Sequence, residues 1–321
     1  MTFDVTALVQ ETVRGTYGSR YTRIALVDLG SSSAASYKEF HSSEAADPSV
    51  RPRLTVVHGS TPPPPPPPPP SSNGTLKVLH WNIHYGLGTD GAYGIDKYID
   101  WIVSINPDLV SLNEVEKYVS GHGNEDQPAL FASRLTARTG RPWYYHFAQR
   151  YGNWSSNGGG NLILSTYPIE ATSQLAMSYN RSAALATVTV GGRTINFVST
   201  HLASESSGYR STQIQQLLPW ARSFSEQRII AGDFNAGLVN VPYMEGEYDD
   251  GWMAADALDT AQDFVGNSRW GATHDYKIDF IFRSEGAQCL VVQSARVFDT
   301  RNASGVRPSD HKPLLVTYTV R

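Results

Sequence analysis

The sequence predicts a mixed α/β sandwich, with helices laid over paired β-sheets and a short separate module in front. Three observations carry this. Beyond residue 74, apolar runs of strand length outnumber helical patterns. Amphipathic helical stretches fall between those runs at intervals, the pattern of sheets covered by helices. Nine consecutive prolines, Pro62 to Pro70, divide the chain.

The elements follow in order. Before the prolines, DVTALVQETV reads as a helical turn, and RIALVDL, SYKEF and RLTVVHG as strands between Gly, Ser and Pro turns. Prolines lack the backbone donor and fix φ, so the run forms a polyproline II rod of about 28 Å at ~3.1 Å per residue. Ser71-Ser72-Asn73-Gly74 ends it as a flexible joint. The domains are therefore read as 1–59, a linker over 60–74, and 75–321. In the last, LKVLHWNI is a strand, YGIDKYIDWIVSI a helix stopped by Asn106-Pro107, and DLVSLNEV a strand. PALFASRLTARTG is a helix closed by Gly140, followed by strands PWYYHFA, NLILST and AALATVTV. Gly191-Gly192 makes a two-residue hairpin turn into TINFVSTHL. STQIQQLLPWARSF is a helix, and RIIAGDFN, YKIDFIF, LVVQSARVF and PLLVTYTV are strands.

Composition narrows the function. No apolar run approaches the ~18 residues that span a bilayer. The net charge of −4 supplies no general attraction to a polyanion, so any nucleic-acid contact must be local. Cys289 is the single cysteine, which excludes a disulfide within the chain. Residues 244–250, MEGEYDD, read as a solvated acidic loop, and the stretches around Trp154 and Trp252 as the candidates for touching lipid.

The chemistry concentrates at strand ends. Asn82 ends KVLHWN, Glu114 ends DLVSLNE, His201 ends INFVSTH, and Asp233 and Asn235 end IIAGDFN. Asp279 lies in YKIDFIF, and Asp310-His311 precede PLLVTYTV. A strand end holds a side chain rigidly and leaves its tip in a cleft. Asn82 and Glu114 offer hard oxygen donors suited to Mg²⁺ or Mn²⁺. Asp233 can deprotonate an attacking water, with Asn235 bonding it or a phosphoryl oxygen. His201 and His311 can donate to non-bridging oxygens as charge builds, and Asp279 is the expected carboxylate behind His311. Too little Cys or clustered His is present for a zinc site.

The segments VLHWNIHYG, DLVSLNEV, GNLILSTYPI, VSTHLAS, IIAGDFNA, KIDFIF and PSDHKPLL, over about residues 76–320, resemble the endonuclease/exonuclease/phosphatase superfamily. That resemblance implies a four-layered α/β sandwich with two mixed sheets flanked by helices, and metal-dependent cleavage of a phosphoester. By motif match it makes Asn82, Glu114 and Asp310 metal-site residues and Asp233 and Asn235 the water-positioning pair. His201 becomes a phosphate stabiliser and Asp279 the partner of His311, while Ser309 shapes the turn. His84 stands where abasic-site endonucleases carry an Asp, and is read as touching phosphate or packing at the rim. Arg181 is a further phosphate candidate. PWYYHFAQRYGNW offers no Glu to support His201, as deoxyribonuclease would.

Residues 3–58, with DVTALVQ, RIALVDL and FHSSEAADPSVRPRLTVV, resemble the C-terminal part of a DNRLRE domain, a module of secreted and cell-surface bacterial proteins. The expectation is a chain that starts inside a larger secreted or cell-surface protein, acts as a monomer, and touches surface or polysaccharide through this partial β module. The expected function is a divalent-metal-dependent phosphodiester hydrolase, a nuclease in the leading reading. A phospholipid or sugar-phosphate phosphoesterase is the alternative, and a non-enzymatic adhesion protein the third.

Overall fold

A computed structural model describes residues 74–153, 157–238, 244 and 246–321. The N-terminal module, the proline rod and the stretch around Trp154 lie outside the described residues.

The first sheet contains β1 (Thr75–Asn82), β2 (Leu109–Lys117), β3 (Tyr144–Tyr151), β4 (Gly158–Ser165), β10 (Ala261–Gln262), β12 (Leu290–Val297) and β13 (Leu314–Val320). Its order is β10-β12-β13-β1-β2-β4-β3. The second contains β5 (Ala171–Met177), β6 (Arg181–Val190), β7 (Arg193–His201), β8 (Arg228–Asp233), β9 (Tyr248–Asp250) and β11 (Asp279–Ser284), ordered β5-β6-β7-β8-β11-β9. Each sheet has one central parallel pair, β1 with β2 and β7 with β8. Parallel neighbours need a crossover, and a helix supplies it in both cases: α1 (Asp96–Ile105) and α3 (Ser207–Arg222). A parallel pair brings the C-terminal ends of its strands together. Asn82 lies opposite Asn113 in one pair, and His201 opposite Asp233 in the other.

Period-2 alternation sorts the strands into layers. In β1, Leu76 and Val78 enter the core between the sheets, while Leu79 and Trp81 pack outward under Tyr98, Ile99 and Ile102 of α1. Phe131 and Leu135 of α2 (Gln127–Thr139) join that outer layer. On the second sheet, Val198, Ile230 and Phe280 pack outward against Ile214 and Leu217 of α3. The result is helix, sheet, sheet, helix. Local signals hold as read: α1 stops at Asn106 with φ 55°, α2 at Gly140 with φ 70°, and Gly191-Gly192 turn with φ 57° and 77°.

Three features depart from the sequence reading. β5, β9, β10 and the short α4 (Gly251–Asp256) are additional elements. Residues 247–250 are no solvated acidic loop: Glu247 pairs with Arg222, Asp249 with Arg283, and Asp250 with Lys277 at 2.7 Å. Tyr248 is buried, so this stretch adds an edge strand to β11 while its carboxylates find cations. Trp252 is 1% exposed and stands within the core between the sheets, which removes it as a membrane anchor.

Candidate active site

The inward-facing rows that form the inter-sheet core turn polar as they near the strand ends. Along β1 the row reads Leu76, Val78, His80, Asn82, and along β2 Leu109, Ser111, Asn113. Along β7 it reads Ile195, Phe197, Ser199, His201, and along β8 Ile229, Ala231, Asp233. The site is the polar end of the core itself.

Within β2, where its pairing with β1 stops, a bulge between Leu112 and Val115 shifts the register against β4. Glu114 sits in it with φ 57°, a conformation that costs a non-glycine residue about 1–3 kcal/mol. The bulge re-aims Glu114 out of the ladder and into the cleft, where its Oε1 accepts from Asn82 Nδ2 at 3.2 Å. The same Asn82 amide donates to Asp233 Oδ2 at 3.1 Å, so one side chain links two carboxylates from different sheets. Burial pushes the Glu114 carboxyl up.

Asp233 is the hub. Its Oδ1 accepts from the Asn235 backbone at 2.8 Å, and its Oδ2 lies 3.5 Å from His201 Nε2 and 3.7 Å from His311 Nε2. Burial, reinforced by the like charge of Asp279, pushes its carboxyl up to about 7. Asn235, with φ 51°, donates its amide to both Leu202 O and His201 Nε2 at 3.0 Å. The carbonyl fixes which end of the amide faces His201, so His201 Nε2 accepts and the ring proton sits on Nδ1. No partner for that Nδ1 exists among the described residues, in keeping with the missing Glu. Burial, with the charge of Arg150, holds His201 well below its ordinary range, and it is neutral.

Asp279 has the opposite setting. Burial works against its charge, but His311 and His80 overcome it and hold the carboxyl well below the usual range. His311 Nδ1 donates to Asp279 Oδ2 at 2.8 Å and His80 Nε2 donates to Oδ1 at 2.9 Å. His311 is also buried, yet Asp279 and Asp233 outweigh that and push it up to about 10. It is an imidazolium beside Asp233. Ser309 supports the turn: its hydroxyl donates to Asn82 O at 2.7 Å and accepts from the His311 backbone at 3.1 Å.

Three expected residues remain. Asp310 is partly exposed, with His84 Nδ1 and His274 Nε2 each 3.9 Å from one of its oxygens. Arg181 is buried, and Glu205 at 3.8 Å is its ion-pair neighbour. Asn82, Glu114, His201, Asp233, Asn235, Asp279, Asp310 and His311 thus meet at one cleft, with His84 beside Asp310 at its edge.

Several residues escaped the sequence reading. His80, Ser111, Asn113, Asn161 and Ser199 form a buried polar network behind the cleft. Ser111 Oγ lies 3.0 Å from His80 Nδ1 and 2.7 Å from Ser199 Oγ. Asn113 Oδ1 accepts from the Asp233 backbone at 2.9 Å, and its Nδ2 donates to Asn161 Oδ1 at 2.9 Å. Their signal was present as polar residues on alternate, inward positions of otherwise apolar strands. Arg150 is a further omission, close enough to act electrostatically on both Glu114 and His201.

Residues 79–311 match the family model described as Endonuclease/Exonuclease/phosphatase family. The fold is similar to an endonuclease/exonuclease/phosphatase from Beutenbergia cavernae DSM 12333, at 20% identity and TM-score 0.59 over 77% of this chain and 72% of that one. It is similar also to the human Nocturnin catalytic domain with bound sulfate anion, at 20% identity and TM-score 0.58 over 77% and 94%. A humanized D. rerio TDP2 aligns at 19% identity and TM-score 0.56 over 77% and 99%. No curated protein matches the chain in sequence. The family match runs from β1 to His311 and takes in the strand ends that build the cleft, so the chain belongs to the endonuclease/exonuclease/phosphatase family and is a hydrolase acting on ester bonds.

Proposed function

We propose that this chain is a divalent-metal-dependent phosphodiester hydrolase, with nucleic acid as the favoured substrate. The observation that carries this is the position of the Asp233 carboxylate. It touches the Asn82 amide on one side and faces two imidazoles on the other. A carboxyl raised to about 7 is matched to general-base work near neutral pH. Asp233 takes the proton of the attacking water, oriented with Asn235. His311, kept charged by Asp279, donates Nε2–H to a non-bridging phosphoryl oxygen as negative charge grows there. His201 accepts from the Asn235 amide and so orients it, a role different from the phosphate donor read from sequence.

The donor set fits a divalent cation. Glu114, Asp233, Asp279 and Asp310 bring four carboxylates to one cleft against the imidazolium of His311 and the nearby Arg150, an excess of carboxylates that a cation offsets. Asn82 and Glu114 would hold it, with Asp310 at the rim, and oxygen donors of this kind suit Mg²⁺ or Mn²⁺. When bound, the ion neutralises phosphate charge. The ligand atoms of Asp233, Asp279 and His311 also lie within 4.8 Å of one another, but Asp279 and His311 are already joined by a proton. We assign that group to proton transfer.

One feature favours nucleic acid. The rings of Tyr179 and Tyr209 stack at 3.6 Å on the surface, both exposed, with Tyr179 two residues before Arg181 and Tyr209 in the first turn of α3. Exposed aromatic rings suit stacking with a base of a single strand. An extracellular setting is supported by the resemblance of residues 3–58 to a DNRLRE segment. The test is hydrolysis of bis-p-nitrophenyl phosphate and of plasmid, oligonucleotide, sphingomyelin and inositol-phosphate substrates, with and without chelator. Loss of activity in Asp233→Ala and His311→Ala, with folding retained, supports the reading. Full activity in both variants sinks it.

A further inference from the structure

Two β-bulges flank one rung of β4. Gly160 has Val115 of β2 on one side and Gln149 of β3 on the other. The register shift on the β2 side throws Glu114 out of the ladder, and the shift between Gln149 and Tyr151 does the same to Arg150. The two bulged residues therefore leave the sheet beside the same rung, two strand spacings or about 10 Å apart. The Arg150 guanidinium comes close enough to bear electrostatically on Glu114 and His201. No carboxylate among the described residues stands within ion-pair distance of it, whereas Arg181 has Glu205 at 3.8 Å.

A closed ring of side chains fixes the guanidinium. Its Nη2 donates to Tyr85 Oη at 3.3 Å, and its central carbon stands 5.0 Å from the centroid of the Tyr151 ring. Tyr85 stacks on His122, with centroids 5.1 Å and planes 8° apart. His122 Nδ1 lies 2.5 Å from Oε2 of the buried Glu116, whose Oε1 accepts from the Tyr151 hydroxyl. Position 159 must be glycine for Tyr151 to lie there, since a Cβ would stand 2.6 Å from two of its ring carbons. Gln127 Nε2 ties down the Tyr85 turn by donating to Tyr85 O at 2.9 Å. A guanidinium has five N–H donors, and Tyr85 takes one. Nε is buried and has no partner among the described residues.

We propose that Arg150 binds the non-bridging oxygens of the scissile phosphate, with Tyr85, His122, Glu116 and Tyr151 as the residues that position it. The inference rests on the phosphodiester reading above. Arg150 comes from β3 at one edge of the first sheet, and His311 from the turn before β13, with β1, β2 and β4 between them. Charge growing on the phosphoryl oxygens therefore meets a cation from each side. A guanidinium suits this place because its paired N–H groups match phosphate bidentately.

The experiment uses the full chain in Mg²⁺, with inorganic phosphate titrated by calorimetry and bis-p-nitrophenyl phosphate as substrate. Arg150→Ala is expected to weaken phosphate binding and to lower kcat/KM, each about tenfold to 100-fold. Arg150→Lys recovers part of both losses, because it returns the charge without the fork. Arg150→Gln keeps a donor for Tyr85 but no charge, and falls with the Ala variant. Tyr85→Phe, which only frees the guanidinium, weakens phosphate in the same direction by less. Circular dichroism checks the folding of each variant. Parent-like phosphate affinity in folded Arg150→Ala or Arg150→Gln overturns the inference, as does a parent that binds no phosphate at millimolar concentration. Absence of hydrolysis by the parent in every metal would defeat the proposed reaction, and the phosphate titrations would still decide for or against Arg150.

Discussion

His80 Nε2 lies 2.9 Å from Asp279 Oδ1, on the carboxylate oxygen that His311 leaves free. A buried carboxylate shared between two imidazoles has both oxygens fixed, and the ring of His311 is aimed by the second of them. His80 is therefore a positioning residue. His80→Leu is expected to lower kcat about tenfold to 100-fold with little change in KM, because the lost contact aims His311 without touching substrate. His80→Gln, which keeps a donor for Asp279, is expected to recover part of the loss. Equal kcat for the Leu and Gln variants would reduce His80 to a packing residue.

Asp233 and His311 set the pH dependence. Hydrolysis needs Asp233 without its proton and His311 with one. In metal-limited conditions kcat/KM is expected to rise as pH passes about 7 and fall as it passes about 10. Saturating cation shifts the acid limb downward by favouring the Asp233 carboxylate. A pH–rate profile at two metal concentrations checks both limbs.

Stability carries the opposite sign at Asp233. Its folded pKa, about 7, is raised above the ordinary 3.8, so the fold binds that proton more tightly and loses stability as pH climbs from about 4 to about 7. Asp233→Asn, studied at pH 8 in chelator, should be the more stable protein by something on the order of 1–3 kcal/mol while losing activity. His311, raised to about 10, contributes stability that is complete below about 6.5 and is lost as pH rises through about 10. Thermal melts of the variant and parent across pH 4 to 10 measure both effects.

Asn113 ties Asp233 to the neighbouring sheet through Asp233 N and Asn161 Oδ1, each at 2.9 Å. Asn113→Ala leaves a buried N–H and a buried amide oxygen unsatisfied, a cost of about 2–4 kcal/mol. The urea midpoint should fall at unchanged slope, which separates lost stability from a changed unfolded state.

The stacked pair Tyr179 and Tyr209 should matter for a substrate with bases and not for a small diester. Replacing both by Ala is expected to lower kcat/KM for a single-stranded oligonucleotide about tenfold while hydrolysis of bis-p-nitrophenyl phosphate stays within about twofold. Parallel losses on the two substrates would count against a base platform.

Much of this site is legible in the sequence. Asn82, Glu114, His201, Asp233 and Asp310-His311 each follow an apolar strand or precede one, and strand ends of the central parallel pairs share one edge by topology. Asp279 stands opposite Asp233 in the antiparallel register and is brought to the same place. His80 was harder to read, since a histidine two places before a strand end carries no mark of its partner 199 residues away. Residues 247–250 misled for a related reason: four neighbouring polar groups look solvated until Arg222, Arg283 and Lys277 arrive from distant segments.

The sequence by itself determined the elements, the layers and the kind of chemistry, because period-2 and helical patterning, turn glycines and strand-end polarity are local properties of the chain. Tertiary structure alone decided which groups hold protons. Asp233 and Asp279 are the same residue type at comparable burial, yet one carboxyl is raised and the other lowered. Each accepts a donor on both oxygens, but those of Asp279 come from the imidazoles of His80 and His311, while those of Asp233 come from the neutral amides of Asn82 and Asn235 and it faces the like charge of Asp279. Charge in a dry interior is set by neighbours in space, and those neighbours come from strands far apart in the chain.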